Sequence, residues 1–295
     1  MENFPSIFND VIGPVMRGPS SSHCAASQRI GKLCRDLMNG NITDILIEFD
    51  PKGSLADTHT GQGSDMGLFG GFLGWEADDE RLPASKYHIS EAGIKVQFAV
   101  RDINAKHLNT YQITLNNPAE SRTVTAISTG GGMIEIIAID GIEVSMMGDF
   151  YETLIYCKTP DKILELINGE MHYDYLIVHN GHPGFIEIKA QHFPGKLLQV
   201  QLESMDDVIS IKKLAPVLPV LSRKDIKVPF TTCNEMLVYN KNKNLSLFDL
   251  AILYETQIGN ISEEETIEEM RKIVRILRES VRSGLQGTKY ADRML

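Results

Sequence analysis

The chain has 295 residues, 42% hydrophobic and 23% charged, and a net charge of −10 at neutral pH. It is long enough to bury a core without disulfides or metals, and acidic enough to disfavour phosphate backbones, so no nucleic-acid partner is expected. Cysteines 24, 34, 157 and 233 form no Cys-x-x-Cys pair, no run is as long as a membrane helix, and MENFPSIFND lacks a signal-peptide charge pattern; zinc, membrane and secretion readings fall away and a cytoplasmic protein is expected.

Residues 1–16 read as a short helix or turn closed by Gly13-Pro14. A polar turn follows, Gly18-Pro19-Ser20-Ser21-Ser22-His23, and then a helix of about five turns. Ile30, Leu33, Cys34 and Leu37 mark its apolar face, one serine of the triplet supplies the N-cap, and Gly40 supplies the stop. Residues 45–50 read as a strand. The glycine-rich run over 53–65 reads as a polar loop, and residues 66–73 as a helix whose glycines let it approach a neighbour closely. Residues 76–93 read as a polar connection with some helix. Strands are expected over 94–100, 111–115, 123–129 and 133–139, separated by Asn116-Asn117-Pro118 and by Gly130-Gly131-Gly132. Helix, strand, helix, then several strands is α+β or mixed α/β. Neither G-x-G-x-x-G nor a P-loop occurs.

Beyond residue 150 the texture changes. Strands are expected over 153–157, 175–180, 185–190 and 196–202, helices over 160–169 and 204–214, and a last strand over 216–221. With one strand to spare, this series contains the strand-helix-strand-strand-helix-strand order and is read as ferredoxin-like. A charged linker spans 222–229. Two helices meeting near Gly259 form a C-terminal hairpin. Ser262 caps the second, with Glu265 completing a capping box; Ile267, Met270, Val274, Leu277 and Val281 form its stripe, and Gly284 ends it. The expected domains are therefore 1–150, 151–228 and 229–295.

Residues 18–23 are the sharpest chemical signal. Three hydroxyls and an imidazole stand at a helix amino end, where free N–H groups and partial positive charge attract a carboxylate or phosphate. An over-capped helix start is the plainer alternative. In the run Gly53 to Asp65, His59, Gln62, Ser64 and Asp65 stand among open glycine amides; a ligand loop and a flexible turn fit equally well. Gly130, Gly131 and Gly132 form either an anion nest or a tight turn. His107 and Asn109 precede a strand and read as a loop that caps it. His179 and His182 read as turn residues, the cysteines as small buried groups, and Asp78, Asp79 and Glu80 as solvated surface.

Taken together, IGPVMRGPSSSH, KGSLADTHTGQGSDMGLFGGFLG, HLNT and STGGGMIEI resemble, in order and over residues 5–150, the β portion of iron-sulfur-dependent L-serine dehydratases. The same β fold resembles the allosteric substrate-binding domain of some phosphoglycerate dehydrogenases. The segment over 245–287 is similar to the opening helices of the α portion of those dehydratases, and residues 151–221 stand where some relatives carry an ACT domain. The resemblance implies elimination of water from L-serine, giving pyruvate and ammonia. It implies a [4Fe–4S] cluster acting as Lewis acid, carried by cysteines of the α portion and not by this chain, which reads as lacking that portion and as inactive alone. On this resemblance Ser20, Ser21, Ser22, His23, Ser64, His107, Asn109, Gly130, Gly131 and Gly132 bind the substrate, and His59, Gln62 and Asp65 form the catalytic group. Gln62 stands where the family carries histidine, and glutamine exchanges no proton near neutral pH. His59 is the expected substitute, a changed substrate the alternative; a regulatory amino-acid-binding module is the alternative function. A homo-oligomer paired through its sheets is expected.

Overall fold

The computed structural model describes residues 4–259 and 261–286. They fall into two compact units, one formed by residues 8–224 and the other by residues 4–7 with 225–259 and 261–286. No helix among the described residues is long and apolar enough to cross a membrane.

The larger unit is mixed α and β. Its first sheet has the order β2-β1-β3-β4-β5-β6. The strands are β1 (Asp44–Phe49), β2 (Lys95–Val100), β3 (Thr110–Asn116), β4 (Ser121–Gly130), β5 (Met133–Ile139) and β6 (Ile142–Met146). β1 pairs parallel with β2 and antiparallel with β3, and the rest is an antiparallel meander. Alternation along β3 buries Tyr111, Ile113 and Leu115 on one face. Against that face lie α1 (Ser21–Leu37) and α3 (Ser64–Phe72).

Glycines set how closely α1 and α3 approach. A Cβ on Gly67 would lie 2.1 Å from the Cys24 carbonyl oxygen, one on Gly71 would lie 2.1 Å from that of Gln28, and one on Gly31 would lie 2.6 Å from that of Leu68. Even a methyl group is excluded at these positions. Contacts that climb both helices together (Cys24 with Gly67, Gln28 with Gly71) mean that the two run parallel, with their N-termini at the same end.

The glycine-rich stretch before α3 is a helix, not the expected loop: α2 covers Leu55–Gln62 and ends at Gly63, whose φ is +81°. Leu55 is buried and anchors it against the sheet. Residues 76–93 contain the short helix α4 (Ser85–Glu91). A π-helical turn, Ile7–Val11, stands where the early helix or turn was expected. Neither Gly18-Pro19 nor the serines cap α1 through a side chain.

The second sheet has the order β10-β7-β9-β8, all antiparallel. Its elements run β7 (Tyr151–Cys157), α5 (Asp161–Glu170), β8 (Tyr175–His179), β9 (Gly184–Ala190), α6 (Lys196–Glu203) and β10 (Val208–Leu214). That is the ferredoxin-like arrangement. Within it two expectations exchange places. Residues 196–202 are helix, because Leu198 and Leu202, four apart, are the buried pair. Residues 208–214 are a strand, in which Lys212 is buried against Glu120. Residues 216–221 form no strand. One face of the sheet adds Leu154, Tyr156, Phe185 and Leu214 to the core beneath α1, and the other packs on α5 and α6.

The smaller unit holds α7 (Cys233–Asn240), α8 (Leu247–Gly259) and α9 (Glu263–Gln286). Each start is closed by a reciprocal side-chain pair: Thr232 with Glu235, Ser246 with Asp249, and Ser262 with Glu265. Buried Glu255 of α8 accepts hydrogen bonds from Ser6 Oγ and the Ile7 amide. α9 continues through Gly284. Its expected stripe lies outside the core, with Ile267 and Met270 half-buried and Leu277 and Val281 59% and 63% exposed; the buried residues of α9 are Thr266 and Ile273.

Candidate functional site

The parallel pairing of α1 and α3 gathers the strongest candidates. Each helix carries about half a positive charge at its N-terminus together with unpaired amides. Side by side, those ends repel each other and favour an anion between them. The turn before α1 is held to the junction before α3. The Ser20 amide donates to the Gln62 carbonyl at 3.3 Å, and Pro19 packs so closely on Gly63 that a Cβ there would lie 2.8 Å from Pro19 Cδ. Ser20, Ser21, Ser22 and His23 thus adjoin Gln62, Gly63, Ser64 and Asp65.

The serine turn is not spent on capping. Ser20 Oγ shares a hydrogen bond of 2.8 Å with His23 Nδ1, which leaves Nε2 of that ring as its second polar atom. Ser21 is exposed, and Ser22 and His23 are half-buried. Across the junction, Gln62 Oε1 and Ser64 Oγ are buried without a hydrogen bond of standard geometry. Unpartnered buried oxygens are costly, and they mark positions suited to a polar ligand or water. Tyr111 Oη is a third such atom; burial pushes its phenol up to about 12, opposed by the neighbouring Ser64 hydroxyl. Asp65 accepts from the Met66 amide at 2.8 Å. Its charge and burial raise the Cys24 thiol, to about 11, against the lowering influence of Arg17; burial is the larger cause.

The glycine turn has two parts. Gly130 and Gly131, at φ +107° and +61°, form the open tip of the β4–β5 hairpin. Gly132, at φ +84°, is buried against Met16, Ala25 and Arg29 of the α1 region, and its carbonyl accepts from Arg29 Nη1. The turn therefore stands beside the first two turns of α1.

His107 and Asn109 form a neighbouring brace. The Asn109 amide donates to His107 Nδ1 at 3.1 Å, so neutral His107 carries its proton on Nε2. Asn109 Oδ1 accepts from Ser54 Oγ, and its carbonyl accepts from the Ser128 amide at 3.1 Å. This brace ties the start of α2 to β4. His59 lies elsewhere on α2, with its ring 4.8 Å from Phe98 and 5.0 Å from Phe49 over β1 and β2. No described hydrogen bond joins it to the serine turn. Sequence reasoning missed Arg29, Met16 and Tyr111. The available signal was Arg29 four residues after Ala25, a long cation on a helix face otherwise built of small side chains.

The four cysteines do not make a cluster site. Cys24, Cys34 and Cys157 are separately buried, with thiols raised by that burial, and Cys233 is exposed. Among the described residues no group of three or more His, Cys, Asp or Glu is arranged to hold a metal. The residues present do not fit an iron-sulfur cluster.

No protein-family model matches the chain. It is similar to a probable L-serine dehydratase, beta chain, of Bacillus subtilis (strain 168), with 38% identity over 152 residues, 52% of this chain and 68% of that relative. The chain belongs to the L-serine dehydratase beta-chain family. A second relative, the L-serine dehydratase, beta chain, of Peptoniphilus asaccharolyticus, is 34% identical over 148 residues, 50% of this chain and 66% of its own length.

Proposed function

We propose that this chain is the amino-acid-holding portion of a two-part L-serine dehydratase, a lyase that converts L-serine to pyruvate and ammonia. The observation that carries the reading is the junction of the α1 and α3 N-termini, where the buried Gln62 Oε1 lacks a hydrogen-bond partner and the buried Ser64 Oγ faces the Tyr111 hydroxyl. A carboxylate lying there would accept from the first amides of α1 and from the serine hydroxyls. His23, tied to Ser20 through Nδ1, presents Nε2 to the same ligand. Asp65 suits the ammonium group of an amino acid. Gly130, Gly131 and Gly132 border the ligand, and His107 and Asn109 hold the frame behind it.

In this reading the cluster chemistry belongs to an α portion, whose opening helices α8 and α9 resemble. When bound there, a [4Fe–4S] cluster supplies a Lewis acid for the departing hydroxyl. This chain binds and orients the substrate in a soluble, cytoplasmic homo-oligomer, with residues 151–228 as an ACT-like module. The assay combines the chain anaerobically with an α portion, iron and sulfide, and measures pyruvate from L-serine. Pyruvate release only with the partner supports the reading; serine binding without turnover in the reconstituted mixture contradicts it. Gln62 favours one alternative, a regulatory amino-acid-binding module, because an amide cannot serve as acid or base. Saturable serine binding that is unaffected by an α portion would support that alternative.

A further inference from the structure

Arg29 is one of the largest fully buried side chains in the protein, 2% exposed. A guanidinium taken out of water normally sits against a carboxylate, because an uncompensated buried charge is expensive. Among the described residues Arg29 forms no ion pair; its recorded hydrogen bond, from Nη1, goes to the neutral carbonyl of Gly132. Glu76 is the carboxylate whose field reaches it, and Glu76 is itself paired with Lys32. Burial depresses the guanidinium to about 10, which leaves it charged at neutral pH.

Its position gives that charge a use. Helical side chains lean toward the N-terminus, and the Gly132 backbone that Arg29 holds lies against Ala25, four residues earlier. The cation thus sits about one turn from the Ser22 and His23 amides, behind the glycine turn. Serine hydroxyls and amides supply hydrogen bonds to an anion but no full positive charge. Of the cations nearby, Lys32 is taken by Glu76, and the half-buried Arg17, whose field reaches Cys24 in the first turn of α1, also acts on Asp79.

We propose that Arg29 is a positioning residue for the substrate carboxylate: it clamps the glycine turn to α1 through the Gly132 carbonyl, and its unpaired buried charge selects an anionic group at the α1 N-terminus. This rests on the serine-binding reading above and adds the source of its charge selectivity. The ligand's carboxylate completes the ion pair that the protein itself withholds, so binding carries a charge requirement beyond hydrogen-bond geometry.

The test titrates the full chain with L-serine and with L-serinamide, which keeps the hydroxyl and ammonium but lacks the carboxylate. Wild type prefers serine. Arg29→Met keeps the buried volume and removes the charge. It should weaken serine binding on the order of tenfold or more while leaving serinamide binding within about twofold. Arg29→Lys should restore most of the preference. Equal losses for both ligands, or an unchanged preference in Arg29→Met, would show a packing role alone and overturn the proposal while serine binding stands. Failure of wild type to bind serine would overturn the underlying reading and this proposal together. If Arg29→Met does not fold, Arg29→Gln decides, since it removes the charge and keeps a donor for the Gly132 carbonyl: a purely structural role leaves the preference for serine over serinamide unchanged, and the proposal predicts its loss.

Discussion

The seam between α1 and α3 and the helices of the smaller unit are stabilised in opposite ways. In the seam, local propensity is poor. Gly31, Gly67 and Gly71 cost helix stability, yet each lets a neighbouring backbone come closer than any side chain permits. The smaller unit instead relies on local devices: three reciprocal caps at three helix starts, with Leu277 and Val281 of α9 left exposed. Tertiary approach builds the candidate site, because only the close parallel crossing puts two N-termini together. Local capping builds helices without one.

The seam should therefore break under the smallest addition. Gly67→Ala puts a methyl group 2.1 Å from the Cys24 carbonyl oxygen and 2.2 Å from Ser27 Oγ, and should destabilise the larger unit by about 3 kcal/mol in denaturant unfolding. Unchanged stability would mean that the helices are not in contact. His23→Ala tests function against scaffold in the same region. It should weaken L-serine binding about tenfold and change stability by under about 0.5 kcal/mol, since the ring caps no helix. A large loss of stability with unaltered affinity would make His23 structural.

In the smaller unit the effects should be graded and local. Ser262→Ala removes the cap of α9 and should cost about 1 kcal/mol, seen as reduced helicity. Glu265, its partner, has a carboxyl held below the usual range by the Ser262 amide and hydroxyl. A depressed folded value contributes stability that is present above the unfolded carboxylate range and lost as pH falls through the folded value. Helicity of α9 should accordingly fall on acidification, and Glu265→Gln should flatten that dependence. Leu277→Asp, at an exposed position, should change stability by less than about 0.5 kcal/mol. A larger loss would show that the stripe is covered in solution.

This contrast also explains what the sequence disclosed. The Ser262–Glu265 cap, the serine turn ahead of α1, the strands β1 to β5 and the close-approach glycines of α3 are local signals, and each was legible. α2 was not, because its Thr, Gly and Asp residues favour turns; Leu55 and the stacked ring of His59 fix it from outside. The exchange of helix and strand over 196–214 has a similar cause. Alternating and four-apart readings both fit Leu198 to Leu202, and buried Lys212 disguised a strand. β6 carried a usable signal in Asp140-Gly141, both at positive φ in a two-residue turn. Arg29 offered only a weak signal, a long cation on a helix face of small side chains, since it takes the folded chain to bring Gly132 to it.

The most direct test is a crystal structure of the chain with L-serine. The account predicts the carboxylate at the shared N-terminal end of α1 and α3, within hydrogen-bond distance of the Ser22 or His23 amide and on the Arg29 side of the glycine turn. Serine bound elsewhere, with that junction filled only by water, would contradict it.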